Sequence, residues 1–228
     1  MASWMIHLRV ADGLLCAFPD LDETAFVVGN IAPDSGVPNE DWSKFTPDAN
    51  VSHYKYRNAE GKREIDIGTF ISDYLTDEAI KGYDRRELSF YLGYYSHLLT
   101  DTLWAKNIYY PCCEKHADEV KADKTAFTWK IKEDWYDLDY KYLRDHNGFR
   151  AFEIYKNAVG FENDLIDLFA RDAFDNRRKY IVSFYEQGKD GLDREYPYLN
   201  EDTANAFVAD TVKDIKEKLW SITMMAKY

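Results

Sequence analysis

Cysteine is scarce in this chain of 228 residues: Cys16, Cys112 and the adjacent Cys113 are all there is. An odd count with one neighbouring pair excludes a disulfide framework, and without a CxxC spacing it excludes a thiolate zinc knot. There is no apolar run of the roughly 18 residues that a transmembrane helix needs. Nor does a basic segment lead into a long apolar stretch, as it does in a secretory signal. The chain reads as a cytoplasmic protein with no integral membrane segment. Positive charge is also in deficit, with 29 Lys and Arg against 41 Asp and Glu and a formal net charge of −12. A protein that tracks a nucleic-acid backbone carries a basic stripe, so nucleic acid is disfavoured as a partner. Polybasic docking to an anionic membrane surface is disfavoured on the same ground. Repeats, low-complexity tracts and a domain-splitting linker are missing too. With 46% hydrophobic residues there is ample apolar surface for a core, and residues 1–228 are expected to form one domain. No feature of the sequence speaks to oligomeric state.

What is present is helical periodicity. Residues 3–18 place Ile6, Val10, Leu14 and Ala17 on one stripe, with Ser3 as N-cap and Pro19 as the stop. A short helix over 22–29 follows, capped by Asp22. The texture then changes across 31–63, where Pro33, Pro38, Pro47, Gly36 and Gly61 predict a loop. Loops of about thirty residues are uncommon inside a domain unless they carry function. Helical pattern returns over 65–74, 84–108, 112–123, 129–144, 149–159, 163–187 and 202–225. Strand-like alternation is absent, so the expected fold class is all-α, a single multi-helix domain.

Within the 84–108 segment, His97 and Asp101 stand four apart and project from one helix face. Imidazole and carboxylate are ligand types that zinc accepts. An isolated pair of this kind is more often a buried histidine hydrogen-bonded to an acid. Three further residues change the weighing. His7 lies among apolar neighbours in the first helix, Asp34 follows Pro33 where a helix gives way to a turn, and His53 sits inside the long loop. Ligands drawn from distant segments are how a metal site is built among helices.

Taken in order, four phrases resemble the zinc-dependent phospholipase C family: Trp4-Met5-Ile6-His7; Gly29-Asn30-Ile31-Ala32-Pro33-Asp34; Ser52-His53; and the Leu92–Asp101 stretch with His97 four before Asp101. That family shares its all-helical fold with single-strand-specific nucleases that use three clustered zinc ions. The resemblance covers residues 1–105 and is weaker beyond. It implies that Asp34, His53, His97 and Asp101 ligate one zinc and that His7 with Asp101 forms part of a second site, Asp101 being the bridging carboxylate. Asp34 is also the implied catalytic residue, orienting or deprotonating the attacking water. The implied cofactor is Zn2+, one to two ions here against three in the full pattern. The implied reaction is hydrolysis of a small-molecule or lipid phosphoester, diester or monoester, by a zinc-activated hydroxide.

The sequence also departs from the family. Secreted members bind metal through the amine of a mature amino-terminal tryptophan, whereas three residues precede Trp4 here. Position 107 is Asn where a third site requires histidine, and no HxxxE follows. His116 with Glu119 is the nearest substitute, and Asp137 and Asp139 are further candidates. His146 is set aside as a helix-terminal residue facing the last carbonyls. Two other functions stay open: a nuclease or nucleotidase on the same scaffold, and a metal-stabilised binding protein without turnover. Tyr91, Tyr94, Tyr95, Tyr109 and Tyr110 offer an aromatic wall for a base or a choline-like cation, but core filling is the stronger expectation. Cys112 and Cys113 are read as free thiols near the surface.

Overall fold

Short polar side chains start most of the helices by accepting their free N–H groups. In the computed structural model, which describes residues 1–41 and 43–226, helix makes up 67% and strand 4%, so the fold is all-α. Ser3 caps α1 (Trp4–Ala17) and Asp22 caps α2 (Glu23–Ile31). The second helix runs directly into a 3₁₀ turn over Ala32–Asp34, where Pro33 is favoured because a first-turn N–H has no partner to lose. The segment expected as loop has more order than its proline content suggests. Strand β1 (Val37–Pro38) pairs antiparallel with β2 (Phe45–Thr46), and β3 (Lys55–Arg57) with β4 (Arg63–Ile65). Between the two hairpins, α3 (Ala49–Ser52) delivers the chain to His53. Strands of two or three residues are too short for an alternation to register in sequence.

After these come α4 (Ile67–Tyr74), α5 (Asp77–Gly82) and α6 (Arg85–Trp104), the last opened by a reciprocal capping box of Asp84 and Glu87. A π-helical turn over Ala105–Tyr109 continues α6. The helix expected over 112–123 is two short ones, α7 (Tyr110–Lys115) and α8 (Ala117–Ala122), broken at His116 by its backbone at φ −112 and ψ 36. The remainder is α9 (Lys124–Asp145), α10 (Arg150–Asn157), α11 (Ala173–Glu186) and α12 (Glu201–Met225). The helix expected over 163–187 therefore begins ten residues late. Asn163 is the cause. Its side-chain oxygen accepts from the N–H groups of Leu165 and Ile166, and its amide donates to the carbonyls of Ile166 and Phe169. These bonds satisfy the backbone without a helix.

The crossing of α2 and α6 positions everything that follows. A Cβ built on Gly29 would lie 2.1 Å from the carbonyl oxygen of Phe90, and one built on Gly93 would lie 2.1 Å from that of Phe26. Only glycine permits this approach. Around the crossing, Leu8, Val10, Leu14, Phe26, Phe90 and Leu98 are fully buried, while a second cluster forms around Trp104, Phe127, Trp135 and Phe207. The tyrosines that precede His97 are core. Tyr94 stacks on Phe70 at 5.0 Å and Tyr91 on Tyr74 at 5.1 Å, all buried or half-buried. Among the described residues, no helix is long and apolar enough to cross a membrane.

Candidate metal centre

Four elements bring five side chains to one place. The Ser3-capped α1 presents His7 one turn in, and α6 presents His97 and Asp101 one turn apart. The Pro33 turn delivers Asp34, and the end of α3 delivers His53. Except for Asp34, whose side chain is 10% exposed, all are essentially sealed from solvent. The ligand atoms of His7, His97 and Asp101 lie within 4.8 Å of one another, and so do those of Asp34, His53 and His97. His97 is common to both groups. Asp101 joins them a second way, with Oδ2 at 3.9 Å from Nε2 of both His53 and His97, and Oδ1 at 3.4 Å from Nε2 of His7.

Hydrogen bonds behind the rings fix their direction. His97 Nδ1 stands 2.7 Å from the Asn30 carbonyl, which only a donor can face, so the proton is on Nδ1 and the lone pair of Nε2 points inward. His53 Nδ1 meets Ser52 Oγ at 3.0 Å while its Nε2 lies 3.1 Å from Asp34 Oδ1. The Ala2 N–H donates to Asp101 Oδ1 at 2.8 Å. One residue along, the Ser3 hydroxyl donates to Asp139 Oδ1 at 2.7 Å, and Tyr185 donates to Asp139 Oδ2 at 2.7 Å. His7 and His97 stack face to face, centroids 3.8 Å apart and 5° from parallel.

The residues fit a bound cation. Both ring nitrogens of His7, Nε2 of His97 and Oδ2 of Asp101 are buried without a hydrogen-bond partner among the described residues. Orphaned buried polar atoms are costly, and here they converge. Ligands held about 2 Å from a tetrahedral zinc stand about 3.3 Å apart, close to the separations of 3.1 to 3.9 Å found here. Electrostatics agree. Burial, and then the neighbouring His7, push the His97 imidazole well below its usual range, so it stays neutral with a lone pair to give. Burial opposes charge on Asp34, yet the His53 hydrogen bond and nearby imidazoles outweigh it and hold the carboxyl well below the usual carboxylate range. Burial likewise opposes charge on Asp101 and is likewise outweighed, first by the Met1 ammonium and then by the imidazoles of His7 and His97.

The other candidates lie elsewhere. His116 meets Glu119 at 3.1 Å, but that carboxylate already takes Lys130 at 3.0 Å and the Tyr198 hydroxyl at 3.1 Å. Asp137 is ion-paired with Lys189 and with Arg194 at 2.9 Å, which neutralises it. Asp139 is spent on Ser3 and Tyr185. Neither His116 with Glu119 nor Asp137 is gathered with the five, and no third group of ligand-type side chains forms among the described residues. Trp4 packs edge-on against Tyr180 at 5.9 Å and Phe184 at 5.7 Å. His146 closes α9 with Nδ1 at 2.9 Å from the Tyr142 carbonyl, as a helix-terminal histidine should. The three cysteines are free. Asn30, Ser52 and Ser3 hold the clustered side chains or the helix that carries them and were missed as such in the sequence. Asn30 and Ser52 fall inside the quoted phrases, but a main-chain carbonyl aimed at a ring has no sequence signature.

Residues 6–104 match the family model of zinc dependent phospholipase C. No curated protein and no solved structure matches the chain. The matched stretch holds all five clustered residues and ends at the last residue of α6.

Proposed function

Because residues 6–104 match the family model of zinc dependent phospholipase C, we propose that the protein is a metal-dependent phosphoester hydrolase of phospholipase C type. The observation that carries this reading is the convergence of buried imidazole and carboxylate atoms that have no hydrogen-bond partner among the described residues. Asp34, His53, His97 and Asp101 would hold one zinc and His7 with Asp101 part of a second, Asp101 bridging. Bound zinc supplies Lewis acidity, polarising a phosphoryl oxygen and lowering the pKa of water from 15.7 to about 7. The protein's own groups do the rest. Asp34 is the one carboxylate of the five with solvent access, and with Oδ1 held by His53 its second oxygen is left to orient or deprotonate the attacking water. The Asn30 carbonyl and the Ser52 hydroxyl keep the two rings turned inward.

Residues 1–228 act as one helical domain in this reading, supported by Val208 packing against both hydrophobic clusters. Three free thiols suit a reducing, cytoplasmic setting. The substrate is a small-molecule or lipid phosphoester, since the net charge of −12 disfavours a polynucleotide. A panel of phospholipid vesicles, nucleotides, single-stranded DNA and chromogenic phosphoesters tests it. Zinc-dependent, chelator-sensitive release of phosphate or a phosphorylated headgroup is expected. Cleavage confined to nucleotides or DNA would favour the nuclease reading. Stoichiometric zinc with no hydrolysis at all would make this a metal-stabilised binding protein.

A further inference from the structure

Most buried or half-buried cations in this acid-rich chain are matched. Lys141, Arg178 and Arg194 each meet a carboxylate within 2.8 Å. Arg9 and Arg177 make no ion pair among the described residues but donate to the Asn205 side chain and the Gly36 carbonyl, which leaves two half-buried lysines. Neither Lys55 nor Lys132 makes an ion pair among the described residues, although 41 acidic side chains compete for cations. Both stand on segments tied to the centre. Lys132, Tyr136 and Asp139 are spaced i, i+4 and i+7 on α9 and share one face. Asp139 ties that face to Ser3, the cap of the helix that carries His7. The charge that acts on Lys132 is that of Asp34. Lys55 stands two residues after His53, pinned by the pairing of β3 with β4, and the charges that act on it most are Asp101 and then Asp34. Two half-buried ammonium groups without an ion pair among the described residues, on segments tied to one centre, are the complement of an anion.

We propose that Lys55 and Lys132 form an anion grip at the rim of the centre, selecting a dianionic phosphomonoester over a diester with a cationic headgroup. This rests on the phosphoesterase reading above and narrows its substrate. A monoester carries up to two negative charges at neutral pH, its second pKa lying near 6, where a diester carries one. A quaternary ammonium placed at the same rim meets two like charges. The exposed Trp129 is no aromatic cage for it, because the Lys132 ammonium already lies 5.1 Å from that ring's centroid. The reaction is simple hydrolysis. The oxygen of water bonds to phosphorus, the ester P–O bond breaks, and the leaving alkoxide takes a proton, giving an alcohol and inorganic phosphate.

Calorimetric binding separates the grip from turnover. The probes are glycerol phosphate, phosphocholine and glycerophosphocholine, titrated into zinc-loaded wild type, Lys55→Ala, Lys132→Ala and the double variant. Wild type is expected to bind glycerol phosphate about tenfold or more tighter than glycerophosphocholine, with about a tenfold loss per lysine removed, the scale of one charge-assisted hydrogen bond. Arginine at either position restores most of the loss, and zinc content stays that of wild type. Vesicles of phosphatidic acid against free glycerol phosphate tell a lipid monoester from a soluble one, a preference for either being consistent with the grip. Lysine-dependent binding without hydrolysis would sustain the grip and overturn the phosphoesterase reading. Glycerophosphocholine bound as tightly as glycerol phosphate, or a double variant with unchanged affinity for glycerol phosphate, overturns the grip and leaves the phosphoesterase reading standing.

Discussion

Gly93→Ala loads one of the two close contacts at the α2–α6 crossing that positions the centre. The new Cβ would stand 2.1 Å from the Phe26 carbonyl oxygen, 2.8 Å from the Asn30 nitrogen and 3.0 Å from the Phe26 carbonyl carbon. All three are backbone atoms, which cannot rotate away. Relieving the contact to an ordinary 3.4 Å displaces α2 from α6 by about 1 Å, and the moved segment includes Asn30. Its carbonyl bond to His97 Nδ1, now 2.7 Å, would lengthen past the range of a hydrogen bond. Alanine gains about 1 kcal/mol in helix propensity over glycine, while overpacking costs about 1–3 kcal/mol or more. Against rigid backbone the upper figure applies, so a net loss of about 2 kcal/mol is expected, or about 4–8 °C in melting temperature for a chain of this size. Losing the group that orients a ligand should also weaken zinc by about 10- to 100-fold. Thermal melts of metal-free protein and competition with a chromophoric chelator read the two effects. Gly82→Ala, where an added Cβ meets nothing within 4 Å, serves as control. Gly93→Ala with wild-type melting and wild-type zinc affinity would refute the reasoning.

Asp101→Asn keeps the shape and the Ala2 hydrogen bond but removes the charge that faces three imidazoles. Zinc content by mass spectrometry and phosphoester hydrolysis should fall together, and full retention of both would disprove the bridging role. Chelation should lower the melting temperature and speed proteolysis between residues 33 and 63, because Asp34 and His53 tether that stretch to α1 and α6 by mass action. Identical melting curves after confirmed metal removal would count against it. Asp139 supplies a pH signature, since burial pushes its carboxyl up from 3.8 to about 7. The folded form holds its proton longer than the unfolded chain, so this contribution is full below pH 3.8 and is lost as pH rises through about 7. The slope is about 1.4 kcal/mol per pH unit inside that window. Asp139→Asn should flatten the melting temperature of metal-free protein across pH 4–7, and an unchanged slope would contradict it.

Helix positions were legible wherever a cap and an apolar stripe coincide, as in α1 with Ser3 and Pro19 and in α6 with Asp84 and Glu87. They were illegible where a side chain diverts the backbone, as Asn163 does, or where strands are too short to alternate, as in the two hairpins. The cluster was legible because His7, Asp34, His53, His97 and Asp101 each sit in a distinctive local phrase. The groups that aim them were not. The Asn30 carbonyl and the Asp139–Ser3 bond are properties of packing across 67 and 136 residues of chain. Lys55 and Lys132 stood out only once the fold had left them without an ion pair among the described residues.

The central claim is that five buried side chains from four elements form one zinc centre. Anomalous X-ray diffraction at the zinc edge, on crystals of zinc-loaded protein, tests it most directly. One or two anomalous peaks are expected, each bounded by ligand atoms drawn from His7, Asp34, His53, His97 and Asp101. Peaks elsewhere, at Asp137 or at His116 with Glu119, or no peak at all, would contradict it.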